Sequence, residues 1–372
     1  MGKRMLITST DLMMIQFLVP HVRNLAEHGW KIDLACSVVG NRIDEVRSAL
    51  QEYAEIHVVR LHRSPLNPEN LKGYKDMKKV ISGKSWDVIW TNEPVMGVVT
   101  RLAARKARRA GTKVVYMVHG FHFYKGAPKL NWMVYYPIER WMARFTDMIV
   151  TINKEDYSRA KGFHVKRVEY IPGIGIDLSR YNIKENTSEI RQSLGVNTED
   201  YLIISIGELT KRKNHRVVLD ALKEINDPRI KYIICGRGPL RDDLLEYIHK
   251  SGLDGQVSLL GYRRDICQLC RASDLFVFPS RQEGLSVALM EAMACGMPVI
   301  CSAIRGNTDL IEEGKGGYLT GVNDAGRIAR GIRELADNPG KASVMGQFNK
   351  KKIENYSIDI LKDRLLHMYN SL

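Results

Sequence analysis

The chain has 372 residues, 44% hydrophobic and 26% charged, with 56 Lys+Arg against 42 Asp+Glu for a formal charge of +14. That length allows two domains of ordinary size, each with its own core, and the near-average composition excludes a disordered, collagen-like or disulfide-scaffold chain. No apolar run approaches the ~20 residues that a bilayer-spanning helix needs.

The N-terminal MGKRMLITSTDLMM has no signal-peptide core or cleavage site and reads as a first strand. Strands are then predicted at Met5–Ser9, Ile32–Cys36, Ile56–Arg60, Val88–Thr91, Val114–Val118 and Met148–Ile152. Amphipathic helices such as Phe17–His28 and Val98–Arg109 lie between them, stopped by Gly29 and Gly111. Residues 172–200 are polar, turn-rich and weakly periodic, which reads as a linker. The rhythm restarts with strands at Leu202–Ile206, Tyr232–Cys235, Val257–Leu260, Leu275–Phe278 and Val299–Cys301. Alternating strand and helix predicts an α/β chain of two Rossmann-like, doubly wound domains over 1–171 and 201–355. A C-terminal helix over 356–372 is expected to return to the first domain. Ligands are expected where the C-terminal ends of the two sheets meet across a cleft.

The positive charge is uneven. Residues 1–180 hold 29 Lys+Arg and 17 Asp+Glu, a net +12, and the rest of the chain is only +2. Such asymmetry predicts an anionic partner for the first half: nucleic acid, a membrane surface or a phosphorylated acceptor. Arg101, Arg105, Arg108 and Arg109 fall largely on one helical face, and Lys125, Lys129, Arg140 and Arg144 interleave with Trp132, Tyr135, Tyr136, Trp141 and Phe145. Solvated basic faces and core aromatics are the ordinary account, but together these stretches suit a membrane-surface patch. Four or five basic residues at ~1 kcal/mol each would give reversible rather than anchored binding.

The six cysteines, at 36, 235, 267, 270, 295 and 301, sit mostly in apolar contexts and are expected to be reduced thiols of an intracellular protein. Cys267 and Cys270 have CxxC spacing without a second pair at zinc-like distance, so they read as buried thiols. No H-x-x-x-H or D-x-D group predicts a metal site, and no cofactor is expected.

The most informative stretch is residues 274–302, DLFVFPSRQEGLSVALMEAMACGMPVICS. A buried strand ends at Pro279, a loop carries Glu283 and Gly284, and a helix runs from about Ser286 to Ala294. The helix N-terminus offers unpaired N–H groups and a positive dipole to an anion such as a pyrophosphate. Glu283 in the preceding loop can face a sugar ring. Glu291 stands among apolar Leu289, Met290, Ala292 and Met293, where an unpartnered charge would be costly, and it can accept two ribose hydroxyls. An anion site between two hydroxyl-binding carboxylates is the layout a nucleotide sugar requires.

This segment resembles the P-S-x-x-E-G-x-x-x-x-x-x-E-A-M-A-x-G-x-P-V signature of retaining glycosyltransferases of family 4, which have the GT-B fold. The resemblance implies that Glu283 with the N–H groups of Gly284, Leu285 and Ser286 holds the donor sugar and diphosphate, and that Glu291 holds the ribose. After the first strand of the second half, Gly207-Glu-Leu-Thr-Lys211-Arg212-Lys213 follows the family's G-R-L-x-x-x-K pattern, which puts Lys213 on the phosphates. Glu208 stands where an Arg is usual, so that either Lys211 or Arg212 supplies the missing cation or Lys213 alone holds the donor. Gly236-Arg237-Gly238-Pro239 and Gly261-Tyr262-Arg263-Arg264-Asp265 also resemble family loops, the second making Arg263 a candidate base contact. His119, at the end of Val114–Val118, resembles the family's histidine near the reacting sugar; His122 is a weaker candidate. The first loop, Ser9-Thr10-Asp11-Leu12-Met13-Met14, lacks the glycine pair that many relatives place against the diphosphate.

The implied reaction moves a sugar from a nucleotide diphosphate, UDP being favoured, to an acceptor alcohol with retention and without metal. HGFHFYKGAP and TINKED resemble bacterial capsule and exopolysaccharide enzymes, which implies an undecaprenyl-diphosphate-linked or glycan acceptor at the inner face of the membrane, and no nucleic acid. The alternatives are a UDP-sugar 2-epimerase of the same fold, for which no extra carboxylates are found, and a nucleic-acid-binding protein, which leaves the Glu283/Glu291 segment unexplained.

Overall fold

The structure is a computed structural model that describes residues 2–39, 43–182 and 187–372, without the side chains of residues 11–13. The chain divides into two compact units, one ending at Gly175 and resuming at Ile358–Leu372, the other spanning Ile176–Ser357.

The first unit is built on seven strands: β1 (Arg4–Asp11), β2 (Lys31–Val39), β3 (Ala54–Val58), β4 (Val88–Asn92), β5 (Lys113–Val118), β6 (Met148–Thr151) and β7 (Arg167–Tyr170). Their order is β3-β2-β1-β4-β5-β6-β7, with every pairing parallel. The second unit holds β8 (Tyr201–Ile206), β9 (Ile230–Cys235), β10 (Val257–Gly261), β11 (Leu275–Phe278), β12 (Val299–Ser302) and β13 (Gly317–Thr320). These follow the order β10-β9-β8-β11-β12-β13, again all parallel. Both sheets are doubly wound and reverse direction beside their first strand, at β1/β4 and at β8/β11, where such sheets place ligands. Parallel sheets are covered on both faces, and accordingly every residue of β4, β6, β11 and β12 is buried.

Residues 172–200 are not a linker. From Ile176 on they belong to the second unit, with a helix at Thr187–Ser193. Arg191 fastens this segment, donating to Ala272 O at 3.0 Å and to Asp274 Oδ2 at 3.1 Å, and Tyr181 and Val196 enter the apolar core. Residues 183–186 of the expected linker lie outside the described residues. The chain instead passes between units at two points, 175–176 and 357–358. Gly175 has φ +92°, and a Cβ there would lie 2.7 Å from Ile358 Cα. The helix Ile358–Asn370 returns to the first unit and packs Leu361, Leu365, Met368 and Tyr369 into its core. The Tyr369 ring lies 5.2 Å from that of Trp90 on β4.

Candidate active site

In the second unit, three loops leave the C-terminal ends of neighbouring strands β8, β11 and β12. Their side chains converge on Glu283. Lys213 Nζ donates to Glu283 Oε1 at 2.8 Å, Arg212 Nη1 donates to the same oxygen at 3.0 Å and Ser280 Oγ at 2.6 Å. From the β12 loop, Arg305 Nε donates to the Glu283 carbonyl at 3.0 Å. Two cations thus hold the Glu283 carboxylate and a third binds its backbone carbonyl, a local surplus of positive charge suited to phosphate oxygens.

Local packing explains the sequence here. The Lys213 stem crosses Gly207, where a Cβ would stand 3.0 Å from Cδ, and its ammonium lies 4.5 Å from the centre of the Phe278 ring. Burial pulls the Lys213 pKa down, and the Glu283 charge opposes that shift. Gly236 lies so close to Gly207 that a Cβ would sit 1.9 Å from its carbonyl oxygen. Gly306 has φ +81°, and a Cβ there would sit 2.3 Å from Gly284 O. Only glycine lets the β12 loop approach the Glu283–Gly284 backbone this closely.

Ser286 caps the helix Val287–Ala294, its Oγ accepting from Leu289 N at 3.3 Å. Gly284 and Leu285 are half-buried ahead of it. Further along, Glu291 accepts from Tyr181 Oη at 2.8 Å, and burial raises its pKa. Glu208 does not aim at the site: it is exposed and pairs with Arg212 Nη2 at 3.3 Å. Arg212 therefore bridges Glu208 and Glu283, whereas Lys211 is exposed. Arg263 is bound through two nitrogens to Asp265, Nε to Oδ1 at 2.8 Å, which fixes its guanidinium plane.

The first unit carries its own polar cluster at the ends of β4 and β5. His119 Nε2 is 2.9 Å from Asn92 Oδ1, and Asn92 Nδ2 donates to Thr8 O at 3.1 Å. Because Oδ1 is thus the acceptor, His119 carries its proton on Nε2 and presents Nδ1 as the acceptor. Desolvation lowers its pKa to about 4, so the ring is neutral. The next residue but one after β4's Thr91 is Glu93, a non-glycine at φ 63°. Its carboxylate accepts from Ser9 Oγ and Thr10 N, each at 2.6 Å, and burial raises its pKa. Glu93 lines a cavity of about 410 Å³ with Val95, Val98, Val99, Tyr135 and Ile138. His122 also lines it, its ring stacked on Tyr135 at 4.6 Å.

The comparisons fit this geometry. Residues 186–352 match the family described as Glycosyl transferases group 1, and residues 18–180 match Glycosyltransferase Family 4. Across the whole chain the sequence is 32% identical to EpsD of Bacillus subtilis (strain 168), named as a glycosyltransferase, and covers 97% of it. The chain belongs to glycosyltransferase family 4. An Escherichia coli enzyme named UDP-Gal:alpha-D-GlcNAc-diphosphoundecaprenol alpha-1,3-galactosyltransferase is 30% identical over 83% of this glycosyltransferase and 84% of its own length. The crystal structure of Anabaena HepE with UDP and glucose superimposes with a TM-score of 0.82 at 20% identity over all of both chains, which confirms the GT-B fold. Neither an epimerase nor a nucleic-acid-binding protein finds support among these relatives.

In this glycosyltransferase the arginine-rich stretch 101–109 does not form one basic face. Arg101 is fully buried, donating to Glu139 Oε2 at 2.8 Å with its guanidinium 4.0 Å from the centre of the Tyr116 ring. Arg108 binds both oxygens of Asp147, at 2.8 and 2.9 Å. Helical spacing placed these residues together, but their partners lie almost forty residues away and have no local signal. The sequence likewise missed Tyr181, Arg305, Asn92 and Glu93. A polar pair at the end of a buried strand, Asn92 closing β4 and Glu93 following it, was the one available cue.

Proposed function

We propose that this chain transfers a hexosyl group, with retention and without a metal, from a UDP-sugar to a hydroxyl of a lipid-linked or glycan acceptor during cell-surface polysaccharide assembly. The observation that carries this reading is the convergence of Arg212, Lys213 and Arg305 on Glu283 beside a Ser286-capped helix and the Tyr181–Glu291 pair. Such cations and N–H groups stabilise charge that develops on a departing diphosphate. Glu283 positions the sugar, and Glu291 takes the ribose. The acceptor hydroxyl attacks from the face that the phosphate leaves, and a phosphate oxygen takes its proton, so no protein nucleophile is required. The names of the Escherichia coli relative and of a Campylobacter jejuni relative, an N-acetylgalactosaminyltransferase acting on a diphospho-undecaprenol, support an undecaprenyl-diphosphate-linked acceptor.

An anionic membrane surface at the cytoplasmic face is the second element of the proposal. The helix Lys129–Met142 exposes Leu130, Met133, Val134, Ile138 and Trp141, a spacing that forms one apolar stripe. Exposed Lys125, Lys129, Arg140 and Arg144 accompany it, and Ile138 joins the stripe to the apolar cavity beside Glu93. No helix among the described residues is long and apolar enough to cross a membrane, so attachment would be peripheral.

The test is turnover with a panel of UDP-, GDP- and ADP-sugars, with and without EDTA, and NMR assignment of the product anomer. Consumption of a UDP-sugar to an α-linked product in EDTA is expected. No donor consumed, an inverted anomer or loss of activity in EDTA overturns the corresponding part. Flotation with phosphatidylglycerol vesicles, but not with phosphatidylcholine vesicles, tests the membrane element.

A further inference from the structure

The fold gathers three of the six cysteines at one place. Cys267 and Cys270 lie on the helix Ile266–Ala272, and Cys295 caps the C-terminal end of the helix that carries Glu291. The Cys267 and Cys295 sulfurs are 4.0 Å apart. CxxC spacing within one helix pointed to a pair of inert thiols; the partner that matters is 28 positions further along the chain.

This cluster differs from the other cysteines in access and in chemistry. Cys36, Cys235 and Cys301 are buried. Burial pushes the thiols of Cys36 and Cys235 up to about 12 and that of Cys301 higher still, which makes them unreactive. Cys295 is only partly buried. It lines a cavity of about 330 Å³ with Cys270, Arg271 and Asp274, a route for a small oxidant. Hydrogen bonding with Cys270 first, then with Cys267, to which Cys295 Sγ donates, holds the Cys295 thiol below its usual value against the opposing effect of burial, and the Arg271 charge adds to the lowering. A partly exposed thiol beside an arginine, with a second thiol in reach, is the setting of a redox-sensitive pair.

We propose that Cys295 and Cys267 are a modification site that forms a reversible disulfide with hydrogen peroxide and thereby weakens donor binding. The Cys295 thiolate attacks one peroxide oxygen; the S–O bond forms, the O–O bond breaks and hydroxide leaves, taking up a proton to become water. The Cys267 thiolate then attacks the Cys295 sulfenic sulfur; the S–S bond forms, the S–O bond breaks and a second water leaves. Two thiols are oxidised by two electrons and one peroxide is reduced to two waters.

The consequence for the site follows from the backbone. Cys295 N donates to Glu291 O at 3.0 Å, so the two residues share the last helical turn. Closing a 4.0 Å gap to a bond of about 2 Å draws that turn toward Cys267 and disturbs the position of Glu291, which Tyr181 holds at 2.8 Å. This coupling rests on the donor site proposed above; formation of the disulfide does not.

The test treats the full, folded chain with hydrogen peroxide and follows it by intact mass, peptide mapping and UDP titration calorimetry. Loss of two hydrogens, a Cys267–Cys295 crosslinked peptide and reversal by dithiothreitol are expected. Cys267→Ser should stop at a dimedone-reactive sulfenic acid on Cys295, and Cys295→Ser should yield neither product. The UDP Kd should rise about fivefold or more on oxidation and recover on reduction. No crosslink, or a crosslink through Cys270 instead, overturns the site; a crosslink with unchanged UDP affinity overturns the coupling. If the reduced chain binds no UDP, the donor reading fails, while the mass result still decides the thiol pair.

Discussion

The two units use their cations in opposite ways. In the first, Arg101 and Arg108 leave helices that pack on the sheet and are held by Glu139 and Asp147 inside the framework. In the second, Arg212, Lys213 and Arg305 extend from strand-end loops and meet at one residue, Glu283. A surplus of +12 in residues 1–180 therefore overstates the charge that an anionic partner can reach. The nearly neutral second half concentrates the charge that a diphosphate would use. Net charge describes a surface only after the internal pairs are removed.

Arg101→Met should separate the two uses most sharply. It leaves Glu139, 5% exposed, as a buried carboxylate without its cation, and the loss of unfolding free energy in urea should be about 3–5 kcal/mol. Adding Glu139→Leu should restore most of it. A single variant that is as stable as the parent would show that Arg101 is not part of the framework.

Buried histidines outside the polar cluster of His119 provide a control, because each unit holds one neutral, His21 in the first and His215 in the second. His21 in the first unit gives Nε2 to Ile174 O at 2.6 Å, and burial lowers the pKa of both His21 and His215 to about 4. Between the unfolded value near 6.5 and the folded value near 4, the unfolded chain binds more protons. Stability therefore rises with pH across that window and is lost on acidification, by about 3 kcal/mol at most for each ring. The Tm should fall from pH 7 to pH 4.5, and His21→Gln, which retains an N–H donor, should flatten the slope. A slope unchanged by that substitution would remove His21 from the account.

Lys213→Ala should leave the Tm within a degree or two of the parent and lower kcat/KM for the donor about 10- to 150-fold, the worth of about 1.5–3 kcal/mol for a charge-assisted hydrogen bond. Arg212→Ala should cost less, a few-fold, because its side chain is 40% exposed and shared with Glu208. Equal losses from the two variants would mean that Arg212 has fully taken the place of the arginine absent at position 208.

Most of the fold is visible in the sequence, since buried parallel strands such as β1, β8 and the four-residue β11 announce themselves through apolar runs. The two strands that escaped, β7 and β13, have four residues each; Arg167–Tyr170 is half-buried throughout, and Gly317–Thr320 contains too little apolar surface to register. The Glu283–Glu291 segment was legible because its residues lie within one loop and one helix. Lys213, 70 positions from Glu283, was legible through its own loop pattern, but the other groups that complete the site were not. Tyr181 reaches Glu291 across 110 positions and Arg305 reaches Glu283 across 22, and only the strand order of the sheet brings such residues together.

The paired crossings at 175–176 and 357–358 have one further consequence, for biosynthesis. The second unit is an insertion, and Ile176 and Ser357 at its two ends are bridged to each other. The first unit lacks part of its core until the final fifteen residues, Ile358–Leu372, have been made. On the ribosome, where domains fold as units in order of synthesis, the later-encoded unit has all its residues first. The earlier-encoded one must wait, with Trp90 and Leu18 unsheltered, for Leu361, Leu365 and Tyr369 to emerge.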